Sequence, residues 1–385
     1  MKIVIAPDSF KESLTAKQVC DCIELGFAQV FPNAEYVHFP LADGGEGTVD
    51  VLMQGLTGEM RISSVTGPLE TSVDSKVSAQ WALVDNGNTA LIEVAAASGL
   101  DLLDVCERDP AVTTTYGTGE IIREALDMGV SKIMLGLGGS ATNDGGAGIV
   151  QALGGRFLDR DGNELLKGGA ALASLEHIEL SDIHPRCKQV EFIVACDVDN
   201  PLVGANGASA VFGPQKGASK GLVEKLDGCL SHFAKVVSSI TFVERSESSG
   251  VGAAGGTPLG LSLIFDVQIK PGIEMILDAL DADKVIEQAD LVITGEGQMD
   301  NQTLQGKTPF GIAKRAKASS IPVIGIAGSL GAEVEELYNT IDSTFATVRS
   351  PQSLEKVLNE ANSNVIRTAR NIAATLKLGA TFNTK

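Results

Sequence analysis

The segment KIVIAPDSFKESLTAKQVCDCIELGFAQV, residues 2–30, sets the fold of this chain. Its first part, residues 2–6, is a short apolar run that is typical of a buried strand. Residues 8–11 then form a loop. A helix follows, because Thr15-x-x-Gln18 is a capping box and apolar side chains recur on one helical face beyond it. The segment therefore predicts a strand, a loop and a helix, which is how an open parallel sheet begins.

The same alternation repeats once and then returns near the end of the chain. Glycine-rich loops and helices follow the predicted strands, with Thr308 as the N-cap of one helix and Pro309 at its first position. A last helix from about residue 353 places Leu354, Val357, Leu358, Ala361 and Val365 on one face. The strands are predicted at residues 2–6, 35–40, 290–294, 322–327 and 343–348. They predict a doubly wound α/β sheet in the order 2-1-3-4-5.

The middle of the chain breaks this pattern. From Arg61 to Val94 the residues alternate as in antiparallel strands, with a hairpin turn at Asp85-Asn86-Gly87-Asn88. We therefore predict two domains. Residues 1–61 and 269–385 form the parallel α/β domain, residues 62–268 form an inserted mixed α/β domain, and the active site lies in the cleft between them.

Composition restricts the class of partner. The 385 residues carry a formal net charge of −19, which argues against nucleic acid and anionic membrane surfaces as partners. The six cysteines contain no CxxC pair, as expected for reduced thiols in a cytoplasmic protein. The first residues have too short an apolar run for a signal peptide, and no stretch reaches the ~18 apolar residues of a membrane span. We expect a cytoplasmic protein that binds a small molecule.

Two glycine-rich motifs suggest nucleotide sites. Gly306-Lys307-Thr308 resembles the end of a P-loop, but that pattern requires glycine where this chain has Asn301. The segment 136–141 satisfies G-x-G-x-x-[GA] after a predicted strand, and Asp159 lies about 20 residues further on, so an NAD(P)-dependent oxidoreductase acting on a hydroxy acid is one alternative. Against it, Asp144 in the first turn of the supposed helix would repel a pyrophosphate unless a metal lay between them.

Acidic residues recur after predicted strands or in glycine-rich loops. Carboxylates that hold Mg²⁺, with one that accepts a hydroxyl proton, are what phosphoryl transfer needs. The basic candidates for anionic groups are Lys11, Lys216 and Lys307. A serine or cysteine hydrolase is not indicated, because no G-x-S-x-G is present and the four histidines lie outside the glycine-rich motifs. The acidic candidates are Asp8, Asp43, Asp144, Asp197, Glu296 and Asp300.

Six segments are long enough to identify a family: APDSFKES (6–13), ADGGEGT (42–48), GGSATNDGG (138–146), ACDVDNPL (195–202), FGPQKG (212–217) and TGEG (294–297). Together they resemble the bacterial type 1 glycerate kinases, and the resemblance covers the chain from Met1 to about Leu376. It implies a flavodoxin-like domain with an inserted second domain, and ATP-dependent phosphorylation of D-glycerate with Mg²⁺, at the 2-hydroxyl, in glyoxylate, glucarate or galactarate breakdown.

On this interpretation each loop has an expected role. Ser9 and Lys11 hold the carboxylate of glycerate, and Glu296 is a substrate or metal ligand. Asp8 or Asp197 accepts the proton, and Asp43 acts in catalysis or as a ligand. Asp144, Glu296 and Asp300 are the expected metal ligands. The residues expected to contact ATP are Gly138, Gly139, Ser140, Lys216, Gly255 and Gly256. A non-catalytic sugar-acid sensor on the same scaffold is a further alternative, and a homodimer is left open.

Overall fold

The computed structural model describes residues 1–42, 44, 47–69, 75–300, 303, 307–332 and 334–382. The chain divides into two compact units. The first unit contains Met1–Asp43, Asp50–Gly55 and Ile273–Lys385, and the second contains Gly44–Val49 and Leu56–Gly272. Within the described ranges, every helix is too short or too polar to cross a lipid bilayer.

The elements are numbered in chain order. The strands are β1 Lys2–Pro7, β2 Glu35–His38, β3 Gly58–Thr66, β4 Lys76–Val84, β5 Thr89–Glu93, β6 Lys132–Gly136, β7 Arg156–Leu158, β8 His177–Glu179, β9 Glu191–Ala195, β10 Val267–Lys270, β11 Leu291–Met299, β12 Val323–Leu330 and β13 Ser343–Ala346. The α-helices are α1 Ala16–Ala28, α2 Thr48–Gly55, α3 Val94–Ser98, α4 Tyr116–Asp127, α5 Ala147–Ala152, α6 Ala208–Phe212, α7 Lys220–Thr241, α8 Ala253–Ile264, α9 Gly272–Ala279, α10 Ala282–Ile286, α11 Thr308–Ala318, α12 Leu354–Asn359 and α13 Ala361–Ala380.

The first unit contains a five-stranded parallel sheet in the order β13-β12-β11-β1-β2. When the five strands are renumbered 1 to 5 along the chain, this is the predicted order 2-1-3-4-5. The prediction of a doubly wound sheet made from both ends of the chain is therefore confirmed. Ile3 pairs with Leu291 on one side of β1 and with Tyr36 on the other. The strand order reverses between β1 and β11, which places a ligand-binding crevice at their carboxyl ends.

The core of this unit is built from aliphatic side chains of the central strands and of the helices that cover them. Ile3, Ile5 and Ile293 are fully buried and pack with Val365 and Ile372 of α13. α1 begins with the predicted capping box, in which Thr15 and Gln18 satisfy each other's backbone N–H groups. Gly26 of α1 lies against the backbone of α13, where a Cβ atom would collide with the Ile366 carbonyl. These contacts fix the outer helical layer on one face of the sheet.

The second unit contains a six-stranded mixed sheet in the order β10-β9-β6-β5-β4-β3. β3, β4 and β5 are antiparallel, as the alternating pattern and the turn at residues 85–88 predict. β5, β6, β9 and β10 are parallel. Their carboxyl ends therefore lie along one edge, where α3 begins at Val94 and loops begin at Leu137 and Cys196.

Some predicted boundaries are wrong in detail. The boundary at residue 61 falls inside β3, which pairs with β4 from Gly58 to Thr66, and residue 269 falls inside β10. The helix expected from residue 353 consists of two helices, α12 and α13. Sequence periodicity could not locate these limits because side-chain alternation continues smoothly across them.

Candidate active site

Asp8 lies directly after β1, at the point where the sheet of the first unit reverses its order. Its backbone N–H donates to the Gly295 carbonyl at 2.8 Å, which extends the pairing of β1 with β11 by one step. Its Oδ1 accepts from the backbone N–H of Ser9 at 2.6 Å, and its Oδ2 accepts from the Thr308 hydroxyl at 2.9 Å. Two donors therefore hold this carboxylate in a defined direction at the switch point.

Thr308 has a different role from the predicted one. The N-cap of α11 is Lys307, and the helix begins at Thr308 with Pro309 next to it. The predicted capping by Thr308 is therefore wrong, because its hydroxyl donates to Asp8 and lies one residue too far along the chain to cap. Pro309 is therefore at the second helical position and not at the predicted first, but still in the first turn, where a proline removes no helical hydrogen bond.

Glu296 belongs to β11 and is 8% exposed. Its Oε1 accepts from the Thr303 hydroxyl at 2.7 Å, and its Oε2 lies 3.8 Å from Lys307 Nζ. Burial is the main reason why the pKa of Glu296 is raised to about 7, and the negative charges of Asp8 and Asp300 add to this effect. The Thr303 hydrogen bond and the Lys307 charge oppose it. Glu296 is thus a buried carboxylate in a strongly negative environment.

These residues border a cavity of about 590 Å³ in the first unit. Four predicted site residues, Asp8, Ser9, Lys11 and Glu296, line its polar end together with Lys307. The negative charge of Asp300 contributes to the raised pKa of Glu296, and its carboxylate accepts a hydrogen bond from Gln298 Nε2 at 2.9 Å. Asp43 lies outside the described residues. The polar end therefore brings carboxylates and ammonium groups together at the strand ends.

The donor atoms at this polar end suit a hard cation. Mg²⁺ prefers oxygen ligands and is usually bound through one or two carboxylates plus substrate phosphates, so a ready-made cage is not required. Among the described residues no three His, Cys, Asp or Glu side chains form a group that could hold a metal ion alone. Burial, with a smaller contribution from the charges of Asp8 and Asp300, raises the pKa of Glu296, and a bound cation would favour its charged form.

In the second unit, the G-x-G-x-x-[GA] segment does not have the geometry of a dinucleotide site. β6 ends at Gly136, and Gly138 and Gly139 form a turn that is half-buried to exposed. The next helix, α5, begins only at Ala147, whereas a dinucleotide fingerprint needs a strand, a tight turn and a helix in immediate succession. Asp159 is used in its own turn, where it accepts from the backbone N–H groups of Asp161 and Asn163. The exposed turn leaves backbone N–H groups accessible to an anion.

Asp144 is completely buried and surrounded by donors. Its carboxylate accepts hydrogen bonds from the backbone N–H groups of Thr115, Gly146 and Gly148 and from the hydroxyls of Thr114 and Thr115. Burial raises its pKa, and these hydrogen bonds oppose the rise. The predicted role of metal ligand does not fit this geometry, because the carboxylate oxygens are occupied by the loop that they organise.

Lys216, predicted to contact ATP, is also buried, with 2% exposure. Its Nζ donates to Ser140 Oγ at 2.9 Å and to the Thr142 carbonyl at 2.8 Å. Burial lowers the pKa of Lys216 to about 7, and the charge of Asp144 opposes this shift. The lysine therefore fixes the position of Ser140 and of the loop that follows Gly139.

Gly255 and Gly256 are buried against the same loop. Both have a positive φ, and a Cβ atom on Gly255 would collide with the Thr142 carbonyl. The Gly255 carbonyl accepts from the Gly145 backbone N–H at 2.9 Å. Their glycine identity is explained by close packing of two loops, and no accessible surface supports the predicted contact with phosphate.

Two carboxylates lie at the carboxyl ends of the parallel strands in the second unit. Asp197, a predicted proton acceptor, follows β9, and its Oδ1 accepts from the Gly272 backbone N–H at 2.8 Å. Glu93, at the end of β5, accepts from the backbone N–H groups of Val49 at 2.9 Å and Gly47 at 3.4 Å. It thereby holds part of the segment 42–48 that the sequence marks as important.

Sequence reasoning missed Glu93, Thr303 and the contact of Thr308 with Asp8. Glu93 carries the signal used for the other acids, a carboxylate directly after a predicted strand, and could have been included. Thr303 and Thr308 act through hydroxyls that reach side chains 7 and 300 residues away in sequence. No local pattern indicates such contacts.

Comparison with known proteins supports a kinase. The family described as "Glycerate kinase family" matches residues 3–377. The chain is 49% identical to the glycerate 2-kinase of Escherichia coli (strain K12) over 380 residues, covering 98% of this chain and 99% of that protein. It is also 49% identical to the glycerate kinase of Bacillus subtilis (strain 168) over 383 residues, which covers 99% of each chain.

A crystal structure of a provisionally named glycerate kinase 2 from Salmonella typhimurium LT2 superimposes with a TM-score of 0.88 at 48% identity, and the match covers 99% of both chains. The similarity therefore extends over both units. This chain belongs to the glycerate kinase family.

Proposed function

We propose that the chain is a cytoplasmic, Mg²⁺-dependent enzyme that phosphorylates D-glycerate to 2-phosphoglycerate with ATP. The observation that carries the proposal is the polar end of the cavity in the first unit, where Asp8, Glu296, Lys11 and Lys307 come together at strand ends. A small anionic alcohol needs an ammonium group for its carboxylate and a carboxylate for its hydroxyl proton. Family membership over the whole chain identifies glycerate as that alcohol.

Asp8 is the proposed proton acceptor. The 2-hydroxyl oxygen of glycerate forms a bond to the γ-phosphorus of ATP, the bond from that phosphorus to the bridging oxygen breaks, and ADP leaves. The hydroxyl proton passes to the Asp8 carboxylate. The N–H of Ser9 and the hydroxyl of Thr308 hold Asp8 in place for this transfer. Because phosphoryl transfer depends mainly on positioning and charge neutralisation, a carboxylate fixed by two donors fits the role.

Lys11 and Ser9 are the proposed ligands of the glycerate carboxylate, since both line the polar end and follow Asp8 directly. Glu296 and Asp300 would hold Mg²⁺, which when bound neutralises negative charge on the transferring phosphate. In the second unit, the Gly138–Gly139 turn remains the candidate for backbone contact with a phosphate, and Asp197 remains the alternative proton acceptor. We assign Asp144, Lys216 and Gly255–Gly256 to supporting the loops rather than to contacting ligands.

The direct test is ADP release coupled to NADH oxidation, measured with a panel of two- to six-carbon hydroxy acids. We expect turnover with D-glycerate that requires both ATP and Mg²⁺. Glycerate binding without ADP release would indicate the non-catalytic sensor instead. Glycerate-dependent reduction of NAD(P), measured directly in a separate assay without coupling enzymes, would indicate the oxidoreductase.

A further inference from the structure

The cavity of the first unit has a second wall that the reaction with glycerate does not explain. Leu354, Val357, Leu358 and Ala361 line it, from α12 and the start of α13. Their spacing of three or four residues places them on one side of the helical segment. We call these four residues the apolar wall. It borders the same cavity as Asp8 and Lys11 but carries no charged group of its own.

The sequence predicts this apolar stripe on one helical face, and in the structure only its last part packs into the core. Val365, at the end of the stripe, is completely buried in the core of the first unit. Leu354, at its beginning, is 68% exposed, and Val357 and Leu358 are half-buried. An apolar stripe that continues beyond the core and borders a cavity is available to cover an apolar ligand.

A buried polar group lies beside the apolar wall. Gln352 lines the same cavity, and its Nε2 is buried without a hydrogen-bond partner among the described residues. Buried amide groups are usually paired, because an unsatisfied donor loses its hydration without compensation. A ligand with a polar edge next to an apolar face would satisfy this donor once the amide rotates toward the cavity.

Of the two substrates in the proposed reaction, only one has such a surface. Glycerate has three carbon atoms, each bonded to oxygen, and offers no apolar face. ATP carries a flat purine with hydrogen-bond donors and acceptors along its edge. We propose that the apolar wall binds the adenine base of ATP and that Gln352 hydrogen-bonds to the edge of the base. This subsite rests on the proposed kinase function and assigns the nucleoside of ATP to the first unit.

The volume of the cavity and the charges that line it agree with this assignment. Its volume of about 590 Å³ lies in the usual range for sites that bury a ligand of nucleotide size, roughly 300–1,000 Å³. With the base on the apolar wall, the phosphates extend toward the polar end, where Lys307 supplies positive charge that the glycerate carboxylate does not use. In a protein of formal net charge −19 such local cations are needed for an anionic nucleotide.

The first experiment separates binding of the base from binding of the phosphates. The dissociation constants of Mg-ADP and of Mg-tripolyphosphate, which has no base, are measured by calorimetry for the wild type, Leu354→Ser and Val357→Trp. Leu166→Ser is the matched control, since Leu166 is an 85% exposed leucine of the second unit. We expect ADP binding to weaken by about tenfold or more in both wall variants. Tripolyphosphate binding should not change, and the control should behave as the wild type.

Unchanged ADP affinity in Leu354→Ser and Val357→Trp would overturn the base subsite. So would an equal loss of ADP and tripolyphosphate binding in folded variants, with folding checked by thermal melting. A wild-type protein that binds no ADP and releases none with glycerate would overturn the kinase function itself. A wild type that turns over normally while the variants keep their ADP affinity would overturn the subsite alone.

A second experiment locates the base directly and needs no variant. The wild-type enzyme is irradiated with 8-azido-ATP, with and without excess ATP, and the labelled peptides are identified by mass spectrometry. We expect ATP-protected labelling within residues 348–361. Protected labelling confined to peptides of the second unit would overturn the assignment.

Discussion

At the scale of the residue, the site depends on carboxylates whose direction or charge is set by their neighbours. Asp8 is held by the Ser9 N–H and the Thr308 hydroxyl, and Glu296 is buried beside other acids. The sequence predicts which acids follow strands. It cannot predict the partners that hold them, because these partners come from distant parts of the chain.

Asp8→Asn tests the proposed proton acceptor. The amide keeps the size of the side chain but cannot accept a proton as the carboxylate does, so we expect kcat to fall by about 10²-fold or more. The melting temperature should change little. Steady-state kinetics and thermal melting check this. A variant that melts several degrees lower and keeps most of its kcat would show that Asp8 only stabilises the loop, a role worth about 1 kcal/mol.

Lys11→Met tests recognition of the glycerate carboxylate. Lys11 lines the polar end of the cavity, and methionine keeps much of the apolar chain while removing the charge. We expect the KM for glycerate to rise by about tenfold, equivalent to ~1.4 kcal/mol, with a smaller change for ATP. Lys17→Met, an exposed lysine of α1, is the control. A rise confined to the KM for ATP would reassign Lys11 to the nucleotide.

Glu296 gives the protein a stability that depends on pH. Since its pKa is raised from 4.5 to about 7, the folded state holds a proton that the unfolded chain has already lost between these values. The stabilisation is complete below the unfolded pKa and disappears as pH rises through 7. We measure the free energy of unfolding in urea without Mg²⁺. Between about pH 5 and pH 8 it should fall by roughly 3 kcal/mol more in the wild type than in Glu296→Gln. Equal pH dependence in both proteins would contradict this account, and Glu355→Gln, at an exposed site, serves as the control.

At the scale of the element, the loop between β6 and α5 is held in place by its own network of contacts. Asp144 accepts hydrogen bonds from the segment before α4 and from its own loop. Lys216 holds Ser140, and Gly255 packs against Thr142. Asp144, Ser140, Lys216 and Gly255 were all identified in the sequence but were assigned to ligands. Sequence analysis could not distinguish a glycine that approaches a phosphate from one that approaches another loop, because both need the same small residue.

Asp144→Ala should therefore destabilise the protein strongly. It leaves several buried donors without an acceptor, and removal of one partner from a buried charged network typically costs about 3–5 kcal/mol. Urea unfolding checks the size of the loss. Asp159→Ala changes a half-buried turn aspartate and should cost much less. A stable Asp144→Ala protein with weakened Mg²⁺ binding would restore the role of metal ligand.

At the scale of the whole molecule, the topology of the parallel sheet was predictable from sequence. Apolar runs mark its strands, and the rule for doubly wound sheets orders them and places Asp8 beside Glu296 at the switch point. The limits of the two units were less predictable, because β3 and β10 continue across the expected boundaries. The apolar wall was predicted as a helix face, but only the folded chain shows that Leu354 borders a cavity.

The central claim is transfer of a phosphoryl group from ATP to the 2-hydroxyl of glycerate. Proton-coupled phosphorus NMR of the product tests it most directly, because the phosphorus couples to the protons on the carbon that carries it. We expect one new phosphomonoester resonance, split into a doublet by the single proton at C2, appearing together with ADP. A triplet would show phosphorylation at C3, and the absence of a phosphomonoester resonance with D-glycerate, ATP and Mg²⁺ would contradict the kinase.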